Sequence, residues 1–189
     1  MQQILVSREI ETPLGPMVAM AGESGLVLLE FSDRPALPRE RDELEQRYCY
    51  RISPGDNAVL RQVESELRAY FAGELTGFRT PLSLPATQFQ QRVWTALQGV
   101  PFGHTRTYGQ LAQQLGNPHA SRAVGAANGQ NRVSIIVPCH RVLGADGSLT
   151  GYGGGQRRKR YLLDLEHRVR AAAAGTPVFH PVTAQASMF

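Results

Sequence analysis

Cys139 and His140 are adjacent residues whose side chains are well suited to chemistry. A cysteine thiolate is a strong nucleophile, and a nearby base or cation lowers the pKa of the thiol. Neighbouring side chains often point apart, so their spacing does not establish that the two act together. A cysteine in an apolar segment is also commonly an inert core residue. Both interpretations of Cys139 stay open at this level.

The segment before Cys139 predicts the place of this residue in the fold. Residues 134–137 are largely apolar and predict a short strand, which Pro138 ends. Cys139 and His140 would then follow directly after the strand, where functional residues are common. A glycine-rich loop over 144–155 comes next.

Short helices are predicted on either side of that segment. Thr87 with Gln90, and Thr107 with Gln110, have the spacing of capping boxes, which begin helices. A third helix is expected at about 120–129. The second and third helices, joined by a tight turn, are typical of a helix-turn-helix, although many such pairs bind no nucleic acid.

The third helix is lined with small side chains: Ala123, Gly125, Ala126 and Ala127. Small side chains permit a close approach to another surface. That surface would be either a ligand such as DNA or the interior of the protein, and the sequence alone does not distinguish the two.

The first half of the chain has the pattern of an α/β unit. Short strands are predicted over 2–10 and 16–31, an exposed helix over 39–48, and an amphipathic helix over 57–71. The next segment, 75–86, predicts a strand and a linker.

A domain boundary is therefore expected near residue 85. We expect a first domain over 1–85 and a second over 86–170, whose last helix covers 156–168. The tail, 171–189, has no clear pattern and is expected to be poorly ordered.

The charges of the two halves are opposite in sign. Residues 1–85 hold nine Arg and 13 Asp or Glu, a net charge of −4, whereas residues 86–170 hold 11 Lys or Arg and three Asp or Glu, a net charge of +8. A basic second half is typical of a domain that faces a polyanion, although a solvated basic surface explains it equally well.

Composition excludes several classes of protein. No apolar run approaches the roughly 20 residues of a membrane helix. The first residues lack the pattern of a signal peptide. Two cysteines, Cys49 and Cys139, are too few for a disulfide scaffold, so we expect a cytoplasmic protein.

Five motifs of the second half occur together: TYGQLA at 107–112, SRAVGAANGQN at 121–131, PCHRV at 138–142, GYGGG at 151–155 and YLLDLEH at 161–167. In this order and spacing they resemble the O6-alkylguanine-DNA alkyltransferases, the methylated-DNA–protein-cysteine methyltransferases, of the bacterial constitutive type. TPLGP at 12–16 and LRAYFAGEL at 67–75 extend the resemblance more weakly into the first half.

The resemblance implies a fold and an activity. The expected fold is a ribonuclease-H-like α/β domain followed by a mostly helical, winged-helix-like domain with a helix-turn-helix. The expected activity is repair of O6-alkylguanine, and less surely O4-alkylthymine, in double-stranded DNA by one irreversible alkyl transfer per molecule. The resemblance implies no cofactor and no obligate protein partner, hence a monomer, and leaves cooperative assembly on DNA open.

Catalytic roles follow from the same resemblance. Cys139 matches the alkyl acceptor, and His140 matches the base that deprotonates it through a bridging water. Glu166 matches the carboxylate that orients this histidine, and Asn131 matches the hinge between the recognition helix and the active-site segment. Tyr108 matches a residue that helps to rotate the nucleotide and donates to guanine N3.

DNA contacts are implied for the helix-turn-helix. Arg122 matches a finger that enters the duplex through the minor groove and fills the space of the flipped base. The other DNA-binding positions implied are Gly109, Asn117, Ala123, Ala126 and Ala127.

A substrate pocket is implied beside the acceptor. Tyr152 and the backbone of Gly153 match its lid, and Gly154 is a further pocket position. The Gly153 N–H would approach O6. The backbone carbonyls of Cys139 and Val142 would accept hydrogen bonds from the exocyclic amine of guanine.

Two features depart from the family pattern. Arg132 follows the hinge residue Asn131 where the family commonly has proline, so we expect either a looser hinge turn or an added phosphate contact. Some relatives bind a structural zinc in the first domain. Here that region has only Cys49 and no histidine before His104, so no metal site is expected.

Two other functions were weighed against alkyl transfer. A non-enzymatic binder of damaged DNA, of the alkyltransferase-like kind, would lack the cysteine, which is present here. A cysteine hydrolase would turn over repeatedly and ignore DNA, which the helix-turn-helix and Arg122 argue against.

Overall fold

A four-stranded sheet forms the first half of the chain. The structure, a computed structural model, describes residues 3–175. Strands β1 (Ile4–Ile10), β2 (Met17–Gly22), β3 (Gly25–Phe31) and β4 (Arg51–Pro54) lie in the order β3-β2-β1-β4. The first three pair antiparallel, and β4 pairs with β1 in parallel. The two predicted strand regions are confirmed, whereas β4 was not predicted.

Helices cover both faces of this sheet. On one face, α1 (Leu37–Gln46) inserts Leu44 into a small apolar cluster. On the other, α2 (Ala58–Phe71) packs against the main core, and its first turn is capped by the Asn57 side chain, which accepts from the backbone N–H of Leu60. Because both faces are covered, every residue of β3 is buried. Both predicted helices are confirmed, although α1 is not wholly exposed.

The segment between the halves is not a strand. Within 75–86, only Leu82 forms an isolated bridge, to Leu26, and the Leu26 N–H donates to the carbonyl of Pro81 at 2.8 Å. The prediction of a strand there was therefore wrong. Prolines at 81 and 85 cannot donate to a ladder, which limits pairing to this single contact.

Four helices form most of the second half. They are α3 (Gln88–Gln98), α4 (Tyr108–Gln114), α5 (Ser121–Gly129) and α6 (Gln156–Ala173). A 3₁₀ turn, Pro118–Ala120, joins α4 to α5 and completes the predicted helix-turn-helix. The last helix extends beyond its predicted end and into the segment expected to be a tail.

Both predicted capping boxes are present. Thr87 and Gln90 exchange reciprocal hydrogen bonds at the start of α3, and Thr107 and Gln110 do the same at the start of α4. Each box satisfies backbone donors that the first helical turn leaves free. The remaining tail, 176–189, lies outside the described residues, so its expected disorder stays a prediction.

One hydrophobic core joins the two halves. Buried side chains of β3, such as Leu29, share a cluster with Trp94 of α3 and Leu162 of α6. The result is a mixed α/β molecule with an N-terminal sheet domain and a C-terminal helical domain, as expected. Among the described residues, no helix is long and apolar enough to cross a membrane.

Candidate active site

Cys139 begins a 3₁₀ turn, Cys139–Arg141, that lies in the core. The expected strand over 134–137 was wrong: these residues form a turn in which the Val137 N–H donates to the Val133 carbonyl at 3.0 Å. Ile135 has a φ of +73°, which a strand does not contain. The apolar run is buried by tertiary contacts instead of by a ladder.

Asn131 ties this turn to the end of α5. Its side-chain nitrogen donates to the Val137 carbonyl at 2.9 Å and to the Cys139 sulfur at 3.1 Å. Its side-chain oxygen accepts from the Val133 N–H at 3.0 Å. A single buried amide therefore holds the helix end, the turn and the sulfur in register.

The Cys139 thiol is protonated at rest. Burial raises its pKa to about 11, even though the hydrogen bond from Asn131 and the positive charges of Arg34 and Lys159 lower it; the charge of Glu30 raises it further. A thiol of this kind needs a base during the reaction.

His140 can supply that base. Its ring is fully buried, and burial lowers its pKa against the opposing effect of Glu166. The ring is therefore neutral near pH 7. Nε2 lies 2.8 Å from Oε1 of Glu166, which assigns the proton to Nε2. Nδ1 is buried without a hydrogen-bond partner among the described residues, so its lone pair is free to accept a proton.

Glu166 is held by several donors. Besides His140, it accepts from the Tyr70 hydroxyl at 2.7 Å, the Gly103 N–H at 3.0 Å and Nε of Arg141 at 2.9 Å. Burial would raise the pKa of this carboxyl, but the interactions with His140 and Arg141 outweigh burial and lower it to about 2. The carboxylate thus stays ionised and fixes the histidine ring.

Lys159 lies under the same site, at the end of the first turn of α6. Its ammonium donates to the carbonyls of Val142 at 2.5 Å and Thr150 at 2.6 Å. Burial lowers its pKa to about 8. This lysine joins the active-site segment to the glycine-rich loop.

The glycine-rich loop covers the site. Tyr152 is buried, its ring centre lies 6.4 Å from that of His140, and its hydroxyl has no partner among the described residues. Gly153 crosses directly over Arg34: a methyl group added there would lie 2.7 Å from Cζ of that arginine. A methyl on Gly154 would lie 2.6 Å from the Tyr152 ring. The close approach requires glycine at both positions.

The expected pocket carbonyls already have partners. The Val142 carbonyl accepts from Lys159, and the Cys139 carbonyl accepts from the Val142 N–H. Because a carbonyl oxygen has two lone pairs, each can still accept one further donor.

Helix α5 presents three of the expected DNA-binding residues. Arg122, Ala123 and Ala126 are exposed on its surface. Ala127 is a correction: it is only 3% exposed, and its carbonyl accepts from the Trp94 indole at 2.9 Å. It lies one position beyond the exposed face and packs against α3 instead.

The start of α4 and the turn that follows this helix carry the others. Gly109 and Asn117 are exposed, and the Asn117 side chain caps the 3₁₀ turn that precedes α5. Tyr108 is half-buried, and its hydroxyl donates to the Thr150 carbonyl at 3.2 Å. The side chain of Tyr108 therefore connects α4 to the glycine-rich loop.

Known proteins match this chain over most of its length. Two family models match: the ribonuclease-like domain of 6-O-methylguanine DNA methyltransferase over residues 5–84, and its DNA binding domain over residues 88–168. The methylated-DNA–protein-cysteine methyltransferase of Mycobacterium leprae (strain TN) is 47% identical over 163 residues, which are 86% of this chain and 93% of the relative. The chain belongs to this family.

Other family members agree in sequence and fold. The corresponding protein of Methanosarcina acetivorans is 44% identical and covers 82% of this chain and 94% of its own length. The crystal structure of Mycobacterium tuberculosis O6-methylguanine methyltransferase has a TM-score of 0.74 at 47% identity and covers 87% of this chain and 93% of its own. A structure of the Mycobacterium tuberculosis protein in complex with DNA has a TM-score of 0.73 at 47% identity, with 86% and 93% covered.

Arg132 stands where the family commonly has proline, and its side chain does not lie where the sequence led us to expect it. It is only 4% exposed, and its guanidinium donates to the Pro85 carbonyl and to Glu43 in the N-terminal domain. The expected phosphate contact was therefore wrong. The expected looser turn stays a prediction.

Several site residues were missed by sequence reasoning. Tyr70 and Arg141 contact Glu166, Lys159 contacts the Val142 carbonyl, and Arg34 lies beneath the glycine-rich loop. Arg141 lies inside the PCHRV motif, and Lys159 is the only lysine of the chain. The sequence therefore held a weak indication that both residues matter to the site. Tyr70 had only the periodicity of a core helix.

No metal centre is evident in the part of the chain that the structure describes. Across residues 3–175, His, Cys, Asp and Glu form no group of three or more that could hold a metal ion.

Proposed function

We propose that this chain repairs O6-alkylguanine in DNA by transferring the alkyl group to the sulfur of Cys139, once per molecule. The observation that carries this proposal is a buried cluster in which Cys139 and neutral His140 are neighbours in one 3₁₀ turn, His140 is bonded to ionised Glu166, and Asn131 is bonded to the sulfur. It is the arrangement of nucleophile, base and orienting carboxylate used for nucleophilic catalysis.

The reaction breaks one bond and forms one. The sulfur attacks the alkyl carbon in line, a C–S bond forms and the bond from that carbon to O6 breaks. The thiol proton passes through a bridging water to Nδ1 of His140, and the departing guanine takes up one proton. The thioether has no leaving group that the protein can displace, so each protein molecule reacts only once.

Glu166 keeps the base ready for this step. Its carboxylate holds the Nε2 proton of His140, so the free lone pair stays on Nδ1. It also stabilises the imidazolium that forms when the thiol proton arrives. Arg141 and Tyr70 keep the carboxylate ionised and in place.

The target base must leave the duplex to reach a buried sulfur. We infer that α5 docks in the minor groove, with Arg122 filling the space of the flipped nucleotide and Tyr108 crowding its phosphate. Tyr108 would also donate to guanine N3 as the base departs. The small side chains of Ala123 and Ala126 permit the close approach that a narrow groove demands.

The pocket recognises guanine through backbone groups. Tyr152, Gly153 and Gly154 form its lid, and the Gly153 N–H approaches O6. The Cys139 and Val142 carbonyls accept from the exocyclic amine, which adenine lacks at that position. O4-alkylthymine is proposed as a poorer substrate because it lacks this amine.

Gly109 and Asn117 flank the same DNA-facing surface. We place the domain boundary between residues 85 and 86 and the end of the second domain at 170. We also propose a cytoplasmic monomer whose partner is double-stranded DNA that contains O6-alkylguanine, with no cofactor and no obligate protein partner.

Direct mapping of the product tests the proposal. The protein is mixed with a duplex containing O6-methylguanine, digested, and its modified peptide identified. We expect one methyl group per molecule, on buried Cys139 and not on exposed Cys49. Cys139→Ser should still bind the duplex but not accept the methyl, because a hydroxyl is a far weaker nucleophile near neutral pH. Sustained turnover, or methyl on Cys49, would contradict the proposal.

A further inference from the structure

Arg132 connects the active-site segment to the N-terminal domain. One nitrogen of its guanidinium donates to the Pro85 carbonyl at 2.8 Å, and another donates to Oε2 of Glu43, on α1, at 2.7 Å. The guanidinium carbon also lies 5.4 Å from the centre of the Tyr48 ring. A buried guanidinium is costly unless it is paired, so these three contacts determine where Arg132 lies.

The backbone on both sides of Arg132 is held by the same domain. The Leu29 N–H donates to the Arg132 carbonyl at 2.8 Å, and the Ser134 N–H donates to the Leu29 carbonyl at 2.8 Å. On the other side, Arg34 donates to the Asn131 carbonyl at 3.0 Å. Asn131 therefore lies between Arg34, which belongs to the N-terminal domain, and Arg132, whose guanidinium contacts that domain.

Asn131 is in turn the residue that bonds the sulfur. Its amide donates to Cys139 at 3.1 Å and to the Val137 carbonyl at 2.9 Å. A small rotation of the Asn131–Arg132 peptide would lengthen both bonds. The position of the acceptor sulfur thus depends on contacts made across the domain interface.

We propose that Arg132 is a positioning residue: its bond to Glu43 holds Asn131, and through it Cys139, in the geometry for alkyl transfer. This inference rests on the proposed function of Cys139 as the alkyl acceptor. It assigns the N-terminal domain a part in the chemistry, through α1, in addition to its part in folding. Where the family commonly has a rigid proline, this chain holds the turn by an ion pair between domains.

Loss of the Arg132 contacts should make the Cys139 thiolate harder to form. The groups that act on the Cys139 thiol are Asn131, by a hydrogen bond, and the charges of Glu30, Arg34 and Lys159. Of these, the Asn131 amide depends most directly on Arg132. If that amide moves away, the pKa of the thiol rises further, and less thiolate forms at neutral pH.

The test measures transfer from free O6-benzylguanine, which requires no DNA binding. Arg132→Met removes the ion pair but keeps an apolar stem, and Arg132→Lys keeps the charge. Glu43→Gln alters the partner and leaves Arg132 in place, so it serves if Arg132→Met does not fold. Arg47→Ala is the matched control, because Arg47 is an exposed arginine that also pairs with Glu43. Rates are followed by mass spectrometry of the Cys139 peptide from about pH 6 to about pH 10.

We expect Arg132→Met to react about three- to tenfold more slowly near neutral pH, the size typical for neighbours in one hydrogen-bonded network. Its rate-against-pH curve should move to higher pH. Arg132→Lys should recover part of the rate, Glu43→Gln should be slower than wild type, and Arg47→Ala should match wild type.

The outcomes separate this inference from the proposed function. Wild-type protein that is benzylated on Cys139, together with folded Arg132→Met and Glu43→Gln proteins that keep its rate and pH curve, would overturn the positioning role alone. A uniform loss of rate without movement of the pH curve would also overturn it. Wild-type protein that is not modified on Cys139 would overturn both.

Discussion

At the scale of single residues, the proposed mechanism requires a base, because the thiol is not already ionised. The pKa of Cys139 is raised to about 11 by burial, so on the order of one thiol in ten thousand is ionised at pH 7. Burial also lowers the pKa of His140, which keeps its ring neutral and able to accept a proton. Burial therefore makes the sulfur harder to ionise and keeps His140 in the neutral form that can accept the thiol proton.

Replacing Glu166 tests this division of labour. The carboxylate raises the basicity of His140, so Glu166→Gln should slow benzyl transfer from free O6-benzylguanine by about a hundredfold at pH 7, the lower end of general-base effects. In wild type, the rate should fall as the pH drops through the lowered pKa of His140, because the protonated ring is no longer a base.

The matched control is Asp164→Asn, an exposed acid on the same helix. It should react at the wild-type rate. Equal rates for folded Glu166→Gln and wild type would show that the carboxylate does not orient the base.

At the scale of elements, two helices deliver the parts of the site. Helix α6 supplies Glu166 and Lys159, and the lysine joins the Val142 carbonyl to the Thr150 carbonyl of the glycine-rich loop. Helix α5 ends in the segment that carries Asn131 and presents Arg122 to solvent. In the proposed function, chemistry and base extrusion thus belong to different elements, which allows mutation to separate them.

Lys159→Met should weaken the attachment of the loop. It also removes a positive charge that lowers the pKa of Cys139, so transfer from O6-benzylguanine should slow by about tenfold, the effect of one lost charge-assisted contact, and its rate curve should move to higher pH. Arg160→Ala, an exposed neighbour on α6, is the control. A wild-type rate in folded Lys159→Met would refute this role.

Arg122→Ala should separate flipping from chemistry. Flipping costs a few kcal/mol of pairing and stacking, part of which an inserted arginine recovers. Repair of duplex DNA should therefore slow much more than reaction with free O6-benzylguanine, whereas His140→Ala should slow both. If folded Arg122→Ala slows both substrates equally, Arg122 supports the site and is not a finger.

At the scale of the whole molecule, charge is distributed to favour DNA on one side. The net charge is −4 over residues 1–85 and +8 over residues 86–170. The acidic half nonetheless contributes to the site, because Tyr70, Arg34 and Glu43 reach across the domain interface. The second domain is thus suited to bind DNA, while the first domain holds the reacting groups in place through these contacts.

DNA binding should depend strongly on salt and weakly on sequence. Each phosphate contact by Lys or Arg contributes roughly −0.9 to the slope of log affinity against log salt concentration. We expect a slope of several units in titrations of undamaged duplexes of different sequence at a series of salt concentrations. Affinity that hardly changes with salt would refute a binding mode dominated by phosphates.

The sequence by itself determined the features that depend on neighbours along the chain. Capping boxes at Thr87 and Thr107 and the apolar period of 57–71 located helices correctly, since each signal is carried by residues of the helix itself. Its motifs also named Cys139, His140 and Glu166, whose spacing in the chain is characteristic of the family although their contact is not derivable from it.

Only the tertiary structure decided the features that depend on distant partners. The edge strand β4 forms because β1 offers it a parallel partner, and residues 134–137 form a turn because the core buries them without a ladder. Ala127 turns inward because Trp94 lies there, and Arg132 turns away from DNA because Glu43 and Pro85 satisfy it. In each case an alternative local conformation or orientation was equally open to the chain. The choice was made by burial and hydrogen bonds between residues far apart in sequence.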